Sequence, residues 1–253
     1  RMTSPKFDKL FGQKVRKSES ELTQFHMDIA ASIQAVTEEI VIKMARSLKL
    51  ETGIKNICLA GGVALNCVAN GKLLNEKIYD DIWIQPASGD AGSSLGAALV
   101  GWHQHYKKSR NVNSNDSMKG TYLGCKYSNE EIKNYLKKIN VSFKTVSDNN
   151  LFLEIAEKLD DGKVVGWFNG AMEFGPRALG ARSIIGDPRN KDMQKIMNLK
   201  IKYRESFRPF APAVIREDLN EWFELDKDSP YMLLVSKVNK NIINKNKEDP
   251  SIF

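Results

Sequence analysis

Cysteine is scarce: Cys58, Cys67 and Cys125 are the three in 253 residues. None stands in a CxxC spacing and an odd number cannot all pair, so the default reading is reduced thiols in a cytoplasmic protein. Histidine is equally sparse. His26 reads as surface or helix packing, and His103 and His105 lie two apart on an expected helix, so they point to different faces. No serine or cysteine occupies a nucleophile elbow, and neither a Walker loop nor a dinucleotide fingerprint occurs. No apolar run approaches the roughly 20 residues that a membrane span needs. The opening residues, Arg1-Met2-Thr3-Ser4-Pro5, lack the apolar stretch of a signal peptide. A first residue other than Met suggests a piece cut from a longer parent.

What is present is an ordinary globular composition, 42% hydrophobic and 27% charged, with length for one large or two modest domains. The net charge is +7 and is unevenly spread. Residues 1–107 carry 13 basic and 11 acidic side chains, a difference of +2; residues 108–253 carry 25 and 20, a difference of +5. Residues 173–208 alone hold nine basic and four acidic groups, again +5. A solvated face is the usual meaning of such a stretch. A nucleic-acid surface would be broader and interleaved with stacking aromatics, which speaks against nucleic acid here; a compact cluster suits small polyanions such as nucleotide phosphates.

Apolar residues recur every three or four positions over 20–49 (Leu22, Phe25, Ile29, Ile33, Val36, Ile40, Met44, Leu48), predicting a helix that Gly53 stops. A buried strand is expected at 56–60, a helix over 63–74, a strand at 81–86 and an apolar helix over 93–106. This alternation is an α/β lobe spanning 1–107. Residues 107–119 are almost free of apolar side chains, so 108–119 reads as a solvated linker. In the second unit, 120–253, Ser128 and Glu131 make a capping box for a helix. Strands are expected at 141–146, 163–168, 183–185, 210–215 and 231–238, with helices over 150–159 and 192–202.

Three motifs could carry chemistry. Gly61-Gly62 between strand and helix would let backbone N–H groups approach a phosphate, with Asn66 adding a side-chain contact; paired glycines also serve plain strand–helix packing. Asp90, in Ser88-Gly89-Asp90-Ala91-Gly92, lies at a strand's carboxyl end, where it suits a divalent ion or a ribose hydroxyl. On spacing alone its more ordinary role is helix N-cap. The third motif joins Glu173-Phe174-Gly175-Pro176-Arg177-Ala178-Leu179-Gly180-Ala181-Arg182 to Lys202-Tyr203-Arg204-Glu205-Ser206-Phe207-Arg208-Pro209. Guanidinium groups on rigid turns bind phosphates at little ordering cost, and the competing role is ion pairing to Glu173, Asp187 and Glu205. Four carboxylates cannot neutralise nine cations.

The stretches LAGGVALNCVANGKL, QPASGDAGSSLGAAL, GAMEFGPRALGARSIIGDPRN and KYRESFRPFAPAV closely resemble, in order, the NodU/CmcH-type carbamoyltransferases. That resemblance implies an α/β chain in which an ASKHA-type (actin/Hsp70-like) lobe precedes a YrdC-like domain, both incomplete here. It implies ATP and carbamoyl phosphate as substrates, a carbamoyl-adenylate intermediate, and transfer to a hydroxyl or amine of a small-molecule acceptor. By position, Arg177, Lys202 and Arg208 match the family's ATP and carbamoyl phosphate contacts, with Arg182 beside them. Gly61, Gly62 and Asn66 match the nucleotide loop, and Asp90 an aspartate ligand of a divalent metal ion (Fe2+ or Mg2+). The family's upstream HxxxH ligands are absent from this sequence and its second domain continues past Phe253, so the isolated chain is expected to be inactive. Exposed apolar surface would then be covered by another chain, including a second copy in a homo-oligomer. The competing reading is a tRNA-modification or other nucleic-acid-associated nucleotide-binding protein, which a steep salt dependence of RNA affinity would reveal. A third is a nucleotide-binding regulatory module that leaves carbamoyl phosphate unchanged.

Overall fold

The computed structural model describes residues 4–112 and 115–243. Helix α1 spans Pro5–Phe11 and α2 Gln24–Thr52, followed by strand β1 at Asn56–Leu59, helix α3 at Cys67–Asn75, strand β2 at Asp81–Ile84 and helix α4 at Asp90–Val100. Then come α5 (Asn129–Lys138), α6 (Asp148–Asp160), β3 (Val165–Phe168), β4 (Arg182–Ile185), α7 (Met193–Ile196) and α8 (Leu219–Trp222). The architecture is mixed α/β. Strands β1 and β2 pair in parallel, Ile57 facing Ile82, and β3 and β4 pair antiparallel, Gly166 facing Ile184. Among the described residues no helix is long and apolar enough to cross a membrane.

Local signals set the helix ends. Gly53 adopts the left-handed conformation (φ 65°) and its N–H closes on the Lys49 carbonyl at 2.9 Å, ending α2. At its start the Thr23 N–H donates to His26 Nδ1 at 3.1 Å, so His26 serves the first turn. Ser128 and Glu131 form the expected capping box of α5, at 2.8 and 3.2 Å.

The helical periodicity of α2 is observed, but its expected apolar stripe is not the buried face. Ile42 and Ala45 pack against Ile57, Leu73 and Tyr79, whereas Ile33, Val36, Ile40, Met44 and Leu48 are exposed. The buried side is the one turned toward β1 and α3, and Tyr79 reinforces it by donating its hydroxyl to the Ala45 carbonyl at 2.9 Å.

Three expected strands are corrected. Residues 141–146 and 210–215 join no ladder, and in 231–238 the sole pairing is a bridge from Val238 to Phe223. A segment becomes a strand only where a neighbour takes up its backbone bonds along its length, and among the described residues only the Trp222–Glu224 backbone does so, at the 237–239 end of the last segment. Segment 231–235 is held by side chains instead. Tyr231 and Leu233 join Ala64, Ile84 and Met118 in a second core. Met118, at the end of the expected linker, is buried there.

The seam between the two parts of the chain rests on Asn70, 2% exposed. Its side-chain amide donates to the Ala64 carbonyl at 2.9 Å and to the Leu233 carbonyl at 3.0 Å. The adjacent Gly71 lets the Val235 backbone approach: a Cβ added there would lie 2.5 Å from the Val235 oxygen. Gly71→Ala is therefore expected to lower stability by about 1–3 kcal/mol through overpacking. Gly96→Ala, where an added Cβ meets open space, is expected to be neutral or stabilising by up to about 1 kcal/mol. Paired thermal melts check both.

Candidate functional site

The glycine turn, the Asp90 turn and the first half of the third motif meet at the carboxyl ends of β1 and β2. After β1 the chain turns through Gly61, whose φ of 97° favours glycine and whose N–H donates to the Ser88 carbonyl at 2.8 Å. That bond ties the glycine turn to the turn holding Asp90. A Cβ added at Gly61 or Gly62 would meet nothing within 4 Å, so open space stands over both glycines. Asn66 caps α3, accepting the Ala69 N–H at 3.1 Å, and exchanges two amide hydrogen bonds with Gln34 at 2.9 and 3.2 Å.

The N-cap of α4 is Gly89, with Asp90 in the first turn. The capping role that spacing favoured for Asp90 is thus corrected. Its carboxylate is exposed and makes no hydrogen bond among the described residues, and its charge complements the helix dipole.

The Gly175–Arg182 turn seats against this edge. Gly175, at φ 124°, packs on Ala87, whose Cβ would be 3.2 Å from a Cβ placed on the glycine. Arg177 reaches across and donates from Nη2 to the Leu65 carbonyl at 2.9 Å, while its Nε is buried with no partner among the described residues. An unpartnered guanidinium N–H beside an open glycine turn is chemically suited to an anion.

Arg182 is spent on the turn itself. Its Nη2 donates to the Gly175 carbonyl at 2.8 Å and its Nε to Glu173 at 3.0 Å. The Glu173 side chain is 0% exposed and also accepts the Leu179 and Ala181 N–H groups at 2.6 and 2.9 Å. Burial acts to raise the Glu173 pKa, but these donated bonds outweigh it and hold the carboxyl below its ordinary value of 4.5.

Lys202 and Arg208 belong to a different support. The Asn198 amide, fully buried, donates to the Ser206 and Arg208 carbonyls at 3.0 and 2.7 Å, and Gln194 donates to the Phe207 and Arg208 carbonyls at 3.1 Å. Arg204 donates to Asn198 Oδ1 at 2.6 Å and lies over the Phe210 ring. Lys202 and Arg208 are exposed. Among the described residues no hydrogen bond or ion pair joins them to Arg177, and none of the three cations forms an ion pair. Asp187 is taken by Arg189 and Glu205 by Arg16. Sequence reasoning passed over Asn198, whose one usable signal was a polar residue inside an apolar helical pattern.

The open glycine turn and the unpartnered Arg177 N–H have the chemistry to receive a phosphate, while Lys202 and Arg208 offer cations on a separate support. A metal ion fits less well. Among the described residues no three His, Cys, Asp or Glu side chains gather, so Asp90 would be a lone ligand and no step is assigned to a metal on this chain.

Because Glu173 has a lowered pKa, its contribution to stability is full above the unfolded value near 4.5 and is lost as pH falls through the folded-state value. Glu173→Gln, which sets an amide N–H against Arg182, is expected to cost about 3 kcal/mol at neutral pH and to flatten this acid-side loss. Denaturant titrations from pH 7 to 3 measure both effects.

The carbamoyltransferase N-terminus family model matches residues 1–99, and the carbamoyltransferase C-terminus model matches residues 156–249. The chain is 57% identical over 243 residues to the uncharacterized protein sll1178 of Synechocystis sp., covering 95% of this chain and 40% of that protein. It is 39% identical over 230 residues to the nodulation protein NolO of Bradyrhizobium diazoefficiens, covering 89% and 41%. Nodulation protein U of the same organism is 29% identical over 232 residues, covering 90% and 37%. The chain thus spans about two fifths of the length of these relatives. With the N- and C-terminal models of one family matching in order over residues 1–99 and 156–249, the chain belongs to the carbamoyltransferase family.

Proposed function

We propose that the protein of which this chain is a part transfers a carbamoyl group from carbamoyl phosphate, with ATP, onto a hydroxyl or amine of a small acceptor by way of a carbamoyl-adenylate. The observation that carries the reading is the Arg177–Leu65 hydrogen bond, which joins the cationic turn of the C-terminal family region to the glycine turn of the N-terminal one. Adenylate formation needs cations to bind the triphosphate and stabilise charge at phosphorus, and Arg177, Lys202 and Arg208 supply cations that no carboxylate of the described chain neutralises. Gly61 and Gly62 would give backbone room for the nucleotide, and Arg182 would keep the turn rigid.

In this reading the first part of the chain is a wall of an ASKHA-type lobe and the second is a YrdC-like domain. Asp90 would contribute one ligand to a divalent ion, Fe2+ or Mg2+, completed by residues outside this chain. The chain alone would be inactive in transfer, since a metal held by one side chain is poorly placed and a 1 Å error can cost about 10²-fold in rate. Free cysteines support a cytoplasmic setting. The exposed stripe of α2 is compatible with cover by further chain or by a second copy.

The test is carbamoyl phosphate-dependent exchange of pyrophosphate into ATP, measured on the protein in its full length. Exchange that requires carbamoyl phosphate is expected, and ATP binding without it would reduce the protein to a nucleotide-binding module. Arg208→Ala is expected to weaken ATP binding by roughly tenfold or more, since a charge-assisted phosphate contact is worth about 1.5–3 kcal/mol. Asp90→Asn should leave folding intact and sharply lower transfer to acceptor. Unchanged transfer would confine Asp90 to the helix dipole.

A further inference from the structure

The loop from Lys202 to Arg208 carries a carboxylate of its own, Glu205, between the two cations read above as phosphate contacts. A carboxylate so close in sequence is a natural internal competitor for both. It is engaged elsewhere, by residues nearly two hundred positions away. The Arg16 guanidinium forms an ion pair with Glu205, and the two side chains are only 15% and 24% exposed. The same guanidinium lies 5.9 Å from the centre of the Phe207 ring. Its other nitrogen donates to the Ser20 carbonyl at 2.5 Å, which fixes its direction.

Glu19 completes the grip. Its carboxylate accepts the Ser206 N–H at 3.1 Å and the Ser206 hydroxyl at 3.2 Å, while its own N–H points at Glu205 at 3.4 Å. Glu19 holds this position at φ 57°, a left-handed conformation that glycine or asparagine adopts far more readily. The loop is therefore clasped on one side by Asn198 and Gln194 and on the other by the segment that precedes α2.

We propose that Arg16 is a positioning residue for anion binding: by occupying Glu205 it keeps that carboxylate off Lys202 and Arg208, and with Glu19 it holds the loop in the form that presents both cations. The inference rests on reading Lys202 and Arg208 as phosphate contacts. Without Arg16, Glu205 is free to pair within its own loop, and an incoming phosphate must displace it. With Arg16, the electrostatic cost of that carboxylate is cancelled before the ligand arrives.

The test is equilibrium binding of ATP to the wild-type protein and to Arg16→Gln, Glu205→Gln and the double variant, with a thermal melt of each. Arg16→Gln is expected to weaken ATP binding about tenfold, the loss of roughly one charge-assisted contact. Glu205→Gln should bind at least as well as wild type, and the double variant should recover most of the loss. A structural role alone would lower the melting temperature of Arg16→Gln without that rescue. Should Arg16→Gln unfold, Glu19→Gln is the second probe, expected to weaken binding severalfold and to speed hydrogen exchange at Ser206. Wild-type affinity in Arg16→Gln, or a double variant no tighter than Arg16→Gln, overturns the proposal. A wild-type protein that binds no ATP overturns the reading of Lys202 and Arg208 themselves, and this inference with it.

Discussion

A single buried amide organises the molecule. Asn70 has its side chain sealed from water, and the two carbonyls it serves come from the turn after β1 and from a segment 163 residues further on. A buried amide without partners is costly, as are two buried carbonyls without donors, so the three groups fix one another in place. Segment 231–235 forms no ladder, so Asn70, the close approach at Gly71 and the burial of Tyr231 and Leu233 are what dock it. The Tyr231 hydroxyl carries the seam into the connecting segment: it donates to Asp116 and accepts the Gly120 N–H at 3.2 Å. Burial first, and the neighbouring Asp116 second, push its pKa up to about 12.

Chemistry follows from that docking because the glycine turn and the Gly175–Arg182 turn lie on the same seam. Arg177 bonds to Leu65, one residue beyond the carbonyl that Asn70 holds. The fold distributes its cations with economy: Arg182 and Arg189 are consumed by structural carboxylates, Arg204 by Asn198 and Phe210, and Arg16 by Glu205. Arg177, Lys202 and Arg208 are among the cations left without carboxylate partners among the described residues. Of these, Arg177 stands against the segment that follows the open glycine turn, and Lys202 and Arg208 stand on the separate loop held by Asn198 and Gln194.

The features legible in the sequence are those whose physics is local. Gly53 ends α2, Ser128 and Glu131 cap α5, and the apolar runs at 56–60 and 81–86 become the strands β1 and β2, because each signal lies within a few positions; the pairing of β1 with β2 joins residues 25 positions apart. The glycine pair and the Gly175–Arg182 turn were readable as motifs for the same reason. What escaped depends on partners far along the chain. The buried side of α2 is set by where β1 and α3 lie, which its periodicity does not encode. Residues 141–146 have the alternation of a strand and 210–215 its apolar character, but among the described residues neither joins a ladder. Arg16 and Glu19 sit in a Lys- and Ser-rich stretch that reads as solvated, since their partners are 186 to 189 residues away. Asn70 is one polar residue in a short helix, unremarked until Leu233 is placed beside it.

The claim beneath this account is that the N- and C-terminal family regions form one body through the Asn70 seam. Hydrogen exchange of the wild-type protein and Asn70→Ala, resolved by peptide, tests it directly. Loss of the amide is predicted to deprotect residues 64–66 and 231–235 together, with the β3–β4 ladder keeping its protection. Deprotection confined to α3, with 231–235 unchanged, would contradict it.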